Sequence, residues 1–437
     1  MIKRIALGAL FIGSTLGSTC WADSSQVNIS KAEPVGMSAD RLQRIKPGLG
    51  KFVEAGNIPG TVSLVARRGK VVHFEAQGLR NVATGEPMEK DTIFRLYSQS
   101  KPVTGAAIML LFEEGHFLLT DPVSKFLPEF ANMSVYTGTV DGKVLTVPAK
   151  SSITIQQLLT HTSGLTYNFF PTPVGKMYVA AGVTGSAPES SLPDLKSWSE
   201  MLAQQPLVAE PGTQWNYSVG MDVLGRLVEV VSGQTFRDFL RERLFVPLGM
   251  RDTDFYVPTD KLDRFAANYS PTPKGAMMLA DDPTKSPYSR LPKLEMGGSG
   301  LVGTVGDYFR FAQMLANRGE LDGKRYLGSK TVEFMMSNHL TPGFPDDPLT
   351  SLFSMMGGGY RVWGVGFGLT GSVVTNPATA GLPVSKGTFS WGGAASTHMW
   401  VDLEEDLVGI VHTQLLPDGT YPIREMMQLL TYQAIVD

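Results

Sequence analysis

The chain has 437 residues, of which 43% are hydrophobic and 18% are charged, and its formal net charge is −3 at pH 7. These proportions are those of a folded protein with a sizeable core, and they exclude a disordered or fibrous chain. A net charge so close to zero gives no electrostatic reason to expect nucleic acid or an anionic membrane as a partner.

Residues 1–22 are predicted to be a cleaved signal peptide. They begin with the basic pair Lys3 and Arg4, continue with an apolar run at 5–16, and end in small residues that resemble a cleavage site. The apolar run is too short to span a bilayer comfortably. The mature chain, 23–437, is therefore expected to be periplasmic or secreted, as one domain without a transmembrane segment.

Cys20 is the single cysteine of the chain. Cleavage after residue 22 would remove it, and the mature protein would then have no disulfide, no cysteine nucleophile and no thiolate metal site. A lipidated Cys20 is the less favoured alternative, because Thr19 is bulky for the residue before a lipoprotein cysteine.

Taken in chain order, the patterns predict strands at both ends of the chain and helices between them. The first hairpin pairs 61–66 with 71–76, and the last pairs 397–402 with 407–412. A closing helix is predicted over 422–436. Internal helices are predicted after Ser98 and near 155–159, 195–204, 219–231, 236–244 and 308–316.

This order of elements predicts an α/β (α+β) fold. One antiparallel sheet would be built from both chain ends and flanked by helices, with a mostly helical lobe inserted at roughly 105–295. Two segments within that region, 166–193 and 268–295, show no clear pattern. Stretches of this length in a compact protein are usually functional loops or lids, with surface insertions as the alternative.

The most informative motif is Ser-Gln-Ser-Lys at residues 98–101, which holds the chain's single S-x-x-K pattern, Ser98 and Lys101. Positions i and i+3 of a helix lie on the same face. The lysine amine can therefore lie within hydrogen-bond reach of the serine hydroxyl. A serine needs such a neighbouring base to become a good nucleophile.

A second proton carrier is predicted at Tyr217, which follows a Pro-Gly turn at residues 211–212 and precedes an amphipathic helix. Its phenol could move protons if a nearby positive charge lowered its pKa, and Lys101 is expected to supply that charge. By itself, a tyrosine at a helix start more often packs.

Backbone donors for a developing oxyanion are predicted in the glycine-rich segment 387–397. Its paired Gly392 and Gly393, at the end of a strand, would allow the backbone to approach a ligand closely. A β-bulge without function is the alternative.

These ordered motifs resemble the serine β-lactamase and penicillin-binding-protein superfamily. Within it, the chain is similar to the family VIII carboxylesterases, which share the class C β-lactamase fold. The segments 121–128, 158–165 and 297–301 fit the same resemblance, which extends from about Met37 to the last residue.

The resemblance implies a role for each motif residue. Ser98 would be the nucleophile, Lys101 its base, and Tyr217 a relay of protons to the leaving group and from the deacylating water. The backbone N–H groups of Ser98 and Ala394 would form the oxyanion hole. Trp391, Gly392 and Gly393 would contact the substrate. No metal or cofactor is expected.

Two departures from the lactamase pattern guide the substrate prediction. Trp391 stands where a class C lactamase has a lysine, and an indole cannot make a charge-assisted contact with a carboxylate. Val219 stands where the tyrosine motif usually has an asparagine. Both changes favour neutral esters with short- to medium-chain or small groups, and the predicted activity is that of a carboxylesterase.

Other functions stay open at this stage: an acyltransferase, a β-lactamase or DD-peptidase with an amide or lactam substrate, and a non-enzymatic receptor that traps its ligand. An α/β-hydrolase is not supported, because no G-x-S-x-G occurs, and the six histidines lack zinc-site spacing. His161 and His398 are expected to be structural. The physiological substrate and the oligomeric state are not readable from the sequence.

Overall fold

The structure is a computed structural model that describes residues 27–185, 191–273, 275–340, 344, 348–355 and 363–437. The predicted signal peptide and Cys20 lie outside the described residues, so their assignment remains a prediction. Within the described ranges, no helix is both long enough and apolar enough to cross a membrane.

The strands of the described residues provide the frame of the molecule. In chain order they are β1 (Gly60–Arg67), β2 (Lys70–Asn81), β3 (Glu86–Pro87), β4 (Phe94–Arg95), β5 (Ser134–Val140), β6 (Lys143–Pro148), β7 (Asn268–Pro271), β8 (Met277–Asp281), β9 (Val302–Gly303), β10 (Glu320–Leu321), β11 (Lys324–Arg325), β12 (Val365–Phe367), β13 (Ser372–Val374), β14 (Phe389–Gly393), β15 (Thr397–Asp402) and β16 (Leu407–His412).

Eight strands form one antiparallel sheet in the order β12-β13-β14-β15-β16-β1-β2-β3. The first and last parts of the chain meet in its centre, where Val62 of β1 is paired with His412 of β16. The predicted sheet built from both chain ends, including both hairpins, is therefore confirmed.

Helices cover the sheet, and in the sequence most of them lie between its strands. They are α1 (Ala39–Leu42), α2 (Ile45–Glu54), α3 (Ser100–Glu113), α4 (Ile155–Leu159), α5 (Pro173–Ala180), α6 (Leu195–Ala203), α7 (Gly220–Ser232), α8 (Phe236–Leu240), α9 (Val246–Leu248), α10 (Val305–Ala316), α11 (Ser329–Met335), α12 (Pro348–Met355), α13 (Pro377–Ala380) and α14 (Ile423–Tyr432). A π-helical turn, Arg241–Phe245, joins α8 to α9.

The central strands β1, β15 and β16 are buried along their whole length. The helices α2 and α14 contact the sheet and each other, and the separate helix α10 contacts β1, β15 and β16. Because both faces are covered, the apolar residues of these strands form nearly continuous runs instead of alternating with polar ones.

The two segments without a predicted pattern do contain regular elements, so reading them as structureless was wrong. Helix α5 lies in the first segment, and the β7–β8 hairpin lies in the second. The predicted lobe also contains the β5–β6 hairpin, whose strand β6 is exposed throughout. The sequence does contain a signal for that hairpin, an Asp-Gly pair between β-branched runs. In the structure Asp141 and Gly142 both have positive φ, as this type of turn requires.

Candidate active site

Ser98 lies on a short 3₁₀ turn, Tyr97–Gln99, that leads directly into α3. The residue before it, Tyr97, has a φ of 45°, which is unusual for a bulky side chain. Its phenol accepts a hydrogen bond from Asn268 (3.1 Å) and packs against Tyr288, contacts that hold this turn. Ser98 is half-buried and lines a cavity of ≈ 350 Å³.

Lys101 follows one turn later, and its Nζ lies 3.1 Å from the Oγ of Ser98. The whole of α3 from Ser100 to Leu111 is buried, so Lys101 has no exposed surface. Its Nζ also donates to the carbonyl oxygen of Gly298 at 2.7 Å. Burial lowers the pKa of Lys101 to about 7, while the negative charge of Asp222 opposes that shift.

Tyr217 approaches Ser98 from the loop before α7, and its hydroxyl lies 2.7 Å from the same Oγ. The Nζ of Lys101 lies 4.6 Å from the centre of the Tyr217 ring. Burial raises the pKa of Tyr217, so the expectation that Lys101 would lower it was wrong. The loss of water around the phenol outweighs the hydrogen bond with Ser98, which acts in the opposite direction.

His161 holds the Tyr217 loop in place through ring packing and hydrogen bonds. Its φ is 57°, and its ring centre lies 4.7 Å from that of Tyr217. Its carbonyl accepts from the backbone N–H of Asn216 (2.8 Å), and its Nδ1 lies 3.2 Å from the hydroxyl of Ser218. Burial holds the pKa of His161 well below its usual value, so the ring is neutral.

Asp222 is a site residue that the sequence reasoning missed. It lies on α7, is fully buried, and its Oδ1 accepts a hydrogen bond of 2.7 Å from the backbone N–H of Gly298. The carbonyl of the same glycine binds Lys101, so Gly298 connects the acid to the amine. Burial raises the pKa of Asp222 to about 7. An acid five positions after Tyr217, on an otherwise apolar helix face, was the available signal.

Segment 297–301 holds the start of α3 through several hydrogen bonds. The hydroxyl of Thr104 donates to the Gly297 carbonyl (2.7 Å), and the hydroxyl of Ser100 accepts from the N–H of Leu301 (3.1 Å). The short pairing of β4 with β9 continues these contacts. The Gly-Gly-Ser-Gly-Leu segment therefore fixes the position of the lysine and of the turn that carries the serine.

The opposite wall of the cavity is the end of β14. The pairing of β13 with β14 covers Phe389 and Ser390 and stops before Trp391. Trp391, Gly392, Gly393 and Ala394 line the cavity beside Ser98, so the structure brings together all the residues that the sequence placed in the site.

The two glycines of β14 are needed for packing. A Cβ at Gly393 would lie 2.1 Å from the carbonyl oxygen of Leu96, and one at Gly392 would lie 2.5 Å from Nδ1 of His398. Such distances are far below van der Waals contact. Gly393 therefore lets β14 lie directly against the chain just before the serine, and Gly392 leaves room for His398 of β15, in addition to any approach of a ligand that the sequence suggested.

Several neighbouring side chains set the character of the cavity. Trp391 packs against Tyr217 with 5.8 Å between ring centres, and Phe169 stacks on Tyr167 at 4.7 Å. His398 lines the cavity and pairs with Asp418 at 2.9 Å. Val219 is fully buried in the core. The cavity is therefore rich in aromatic rings.

Within the described ranges, no group of three or more His, Cys, Asp or Glu side chains lies close enough to hold a metal ion. Lys101 and Tyr217 are the side chains within hydrogen-bond distance of the Ser98 hydroxyl among the described residues, and the backbone of Gly393 and Ala394 lines the same cavity. This set can activate a hydroxyl nucleophile and stabilise an oxyanion, which is the chemistry of acyl transfer through a covalent serine intermediate.

Comparison with known proteins places this geometry in a family. A family model described as Beta-lactamase matches residues 48–431. Protein Rv1367c of Mycobacterium tuberculosis is 37% identical over 369 residues, covering 84% of this chain and 88% of that protein. Esterase EstB of Burkholderia gladioli is 31% identical over 412 residues, covering 89% and 94%.

A solved structure agrees with these sequence matches. EstCE1, described as a hydrolase with promiscuous acyltransferase activity, is 27% identical, with a TM-score of 0.75 over 90% of this chain and 99% of that chain. The chain therefore belongs to the Beta-lactamase family, and its fold is the β-lactamase-like fold that the motifs predicted. It is a member of a serine hydrolase superfamily in which its relatives include esterases.

Proposed function

We propose that this member of the Beta-lactamase family is a serine carboxylesterase that works through an acyl-Ser98 intermediate. One observation carries the proposal: the Oγ of Ser98 lies within hydrogen-bond distance of both Lys101 Nζ, at 3.1 Å, and Tyr217 OH, at 2.7 Å. A serine with two such neighbours can lose its proton to one and pass a proton onward through the other.

In acylation, the neutral amine of Lys101 takes the proton of Ser98 as Oγ forms a bond to the ester carbonyl carbon. The backbone N–H groups of Ser98 and Ala394 stabilise the oxyanion that develops. As the carbon–oxygen bond to the alcohol breaks, Tyr217 gives its proton to the leaving oxygen and regains one from Lys101. The alcohol leaves, and the acyl group remains on Ser98.

In deacylation, a water molecule loses a proton to the Tyr217–Lys101 pair and attacks the acyl carbonyl carbon. The bond to Ser98 breaks, Oγ regains a proton, and the carboxylic acid leaves. A high pKa suits this use of Tyr217, because the phenol stays protonated and passes protons within a hydrogen-bonded chain without carrying a lasting charge.

Asp222 adjusts the base in this scheme. Burial makes Lys101 a weak base, and the charge of Asp222 raises the pKa of Lys101 back towards neutrality. A base is most effective when its pKa lies near the working pH. Asp222 is therefore a positioning residue that acts through Lys101 and Gly298.

The walls of the cavity favour neutral esters with small or short- to medium-chain groups. Trp391 offers an indole ring where a carboxylate-binding cation would otherwise stand, and Val219 is buried away from the cavity. Tyr167 and Phe169 add aromatic surface at the entrance. Apolar groups are recognised by such surfaces, and carboxylates are not.

Acyl transfer to an alcohol is the second candidate, because EstCE1 is described as a hydrolase with promiscuous acyltransferase activity. Both reactions share acyl-Ser98 and differ in what attacks it. Product analysis with p-nitrophenyl butyrate and added methanol separates them, since methyl butyrate forms only if the alcohol competes with water.

Export is also proposed on the basis of the basic start and apolar run of residues 1–22. Expression of the full chain in a bacterial host tests it. A periplasmic or secreted product that begins after residue 22, measured by intact mass, is expected. A cytoplasmic product of full mass would contradict export.

The decisive test of function is intact-mass analysis after treatment with a fluorophosphonate. Wild type is expected to gain one adduct, and Ser98→Ala is expected to gain none. Ser390→Ala is the matched control, because Ser390 lines the same cavity and should leave labelling intact. Equal labelling of Ser98→Ala and wild type would overturn the assignment.

Rates with p-nitrophenyl butyrate and nitrocefin then rank the substrate classes. A carboxylesterase is expected to hydrolyse the ester at least about 100-fold faster than nitrocefin, a difference of roughly 2.7 kcal/mol in transition-state binding. Faster turnover of nitrocefin would identify a β-lactamase instead. Labelling of Ser98 without turnover of either would identify a ligand-trapping receptor.

A further inference from the structure

A second cavity of ≈ 360 Å³ adjoins the one beside Ser98. The two share lining residues, among them Ser372, Ser390 and His398, so they are direct neighbours. We call the farther part the second chamber; it is lined by β13, α13, the loop after α13 and the start of α14. The proposed acyl chemistry makes no use of it.

One wall of the second chamber is apolar. It is formed by Val374 on β13, Ala380 on α13, and Leu382 and Val384 in the loop that follows. Val374 and Val384 are buried among other apolar residues. A wall of this kind stabilises an apolar group in proportion to the surface that it removes from water.

The facing wall carries a polar side chain without a partner. Gln428 of α14 is 5% exposed, and its Oε1 has no hydrogen-bond partner among the described residues. A buried acceptor without a partner costs free energy. Gln428 lines the chamber, and a turn of its side chain would bring the buried Oε1 to a hydroxyl or N–H group of a ligand there and remove that cost.

The ionisable side chains of the chamber already have partners. Arg424 donates to the carboxylate of Glu425 at 2.6 Å, and His398 pairs with Asp418 at 2.9 Å. The nearby acids also raise the pKa of Arg424. Because its charge is balanced by these acids, this guanidinium is not free to recognise a substrate carboxylate, and the chamber suits an uncharged group.

We propose that the second chamber binds the part of the substrate that is remote from the scissile ester bond, and that this part is a bulky, uncharged, apolar group bearing a hydrogen-bond donor. The proposal rests on the esterase function proposed above and refines its substrate class. Small esters then use the cavity beside Ser98 alone, and amphipathic esters use both.

Filling the chamber tests its role. Ala380→Trp adds a large ring at the chamber wall, and Ala378→Trp on the exposed side of the same helix is the matched control. The probes are trans-4-hydroxycyclohexyl acetate, with the bulk on the alcohol, and p-nitrophenyl trans-4-hydroxycyclohexanecarboxylate, with the bulk on the acyl group.

For Ala380→Trp, kcat/KM is expected to fall about tenfold or more on one of these bulky probes and to stay within about twofold of wild type on p-nitrophenyl acetate, as a blocked pocket requires. Ala378→Trp is expected to match wild type on every probe. Unchanged rates of Ala380→Trp on both bulky probes, or an equal loss on p-nitrophenyl acetate, would overturn the proposal.

Gln428→Met tests the hydrogen bond with a side chain of similar shape. Wild type is expected to prefer the hydroxylated bulky ester over its cyclohexyl analogue by about 3- to 10-fold, which corresponds to one ordinary hydrogen bond, and Gln428→Met is expected to lose that preference. A preference that survives in Gln428→Met would contradict the role given to this residue.

Binding provides a readout that does not depend on turnover. Calorimetric titration of the Ser98→Ala protein with trans-4-hydroxycyclohexyl acetate is expected to detect binding that is weaker in Ser98→Ala/Ala380→Trp than in Ser98→Ala/Ala378→Trp. If no ester is hydrolysed but this difference is found, the esterase proposal fails and the chamber stands. If esters are hydrolysed and the difference is absent, the chamber proposal fails.

Discussion

The two walls of the cavity are built in different ways. On the wall formed by α3 and α7, Ser98, Lys101, Tyr217 and Asp222 are tied to one another or to Gly298 by bonds of 2.7–3.1 Å. On the sheet wall, Trp391 contributes an aromatic ring, and the second chamber beyond it has an acceptor without a partner among the described residues. The first wall constrains its side chains for one reaction, whereas the second leaves room for different ligands.

This difference separates chemistry from selectivity. Side chains that are fixed by several partners hold reacting atoms in place and tolerate little change. Cavity-lining side chains that touch few other polar groups can be replaced with an effect on binding alone. The three predictions that follow test this separation, in order of decreasing effect.

Gly393→Ala should have the largest effect, because it acts at the point where the two walls touch. The added Cβ would lie 2.1 Å from the Leu96 carbonyl oxygen, so β14 must move away from the turn that carries Ser98. We expect kcat/KM on p-nitrophenyl acetate to fall about 100-fold, the cost of a misplacement of roughly 1 Å in an active site.

Gly50→Ala on α2 is the matched control for that substitution. Its added Cβ would lie 3.2 Å from the Oε1 atom of Gln77, the end of a flexible side chain, and activity should not change. Circular dichroism shows whether both variants fold. Activity of folded Gly393→Ala close to wild type would mean that the walls move independently.

Asp222→Asn should shift the pH dependence of kcat/KM. Lys101 must be unprotonated to take the proton of Ser98, so kcat/KM should fall as the pH falls through the pKa of Lys101, about 7. The charge of Asp222 raises that pKa; without it the pKa falls, and the acidic limb should move to lower pH by about 1 unit or more.

The amide oxygen that replaces the carboxylate in Asp222→Asn can still accept the bond from Gly298, so the substitution isolates the charge. In wild type the acidic limb of the kcat/KM profile belongs to the Lys101–Asp222 pair, because burial also raises the pKa of Asp222 to about 7. Burial raises the pKa values of Tyr167 and Tyr217 and lowers that of His161, so these three groups do not titrate in this range. Asp121→Asn, which removes a surface carboxylate paired with Lys125, is the control. An acidic limb at the same pH in Asp222→Asn and wild type would refute the coupling.

Phe169→Ala should have the smallest effect, because it changes binding surface without touching a reacting group. Phe169 is 55% exposed and stacks on Tyr167 at the cavity entrance. The lost aromatic contact should raise KM for p-nitrophenyl butyrate about threefold and leave kcat unchanged. Phe334→Ala, at an exposed aromatic on α11, serves as the control. A fall in kcat instead would show that Phe169 affects the catalytic side chains.

Much of the fold was predictable because its strands and helices carry strong local patterns. Both terminal hairpins and the six internal helices that the hydrophobic spacing predicted are present, whereas other helices, among them α2 and α5, were not predicted. The β5–β6 hairpin was missed because its exposed strand β6 has no buried face to mark it. The β7–β8 hairpin was missed for a similar reason, since Met278 and Leu279 on β8 are exposed.

The site was predictable only in part. Ser98, Lys101 and Tyr217 could be placed because motif spacing and a family resemblance identify them. Asp222 has one local signal, an acid on an otherwise apolar helix face, but its contact with Gly298 and the second chamber depend on residues far apart in the chain. The predicted direction of the pKa shift of Tyr217 was wrong, because the sequence of a loop does not show which of its side chains are buried.

The meeting of both chain ends in one sheet has a consequence for how activity arises during folding. Ala394 can face Ser98 only after β14 has joined the sheet. The same sheet contains the pairing of β1 with β16, whose residues are among the most distant in the sequence. Contacts of such long range form slowly. Fluorophosphonate labelling during refolding should therefore recover with the final assembly of the sheet, which makes the nucleophile a reporter of complete folding.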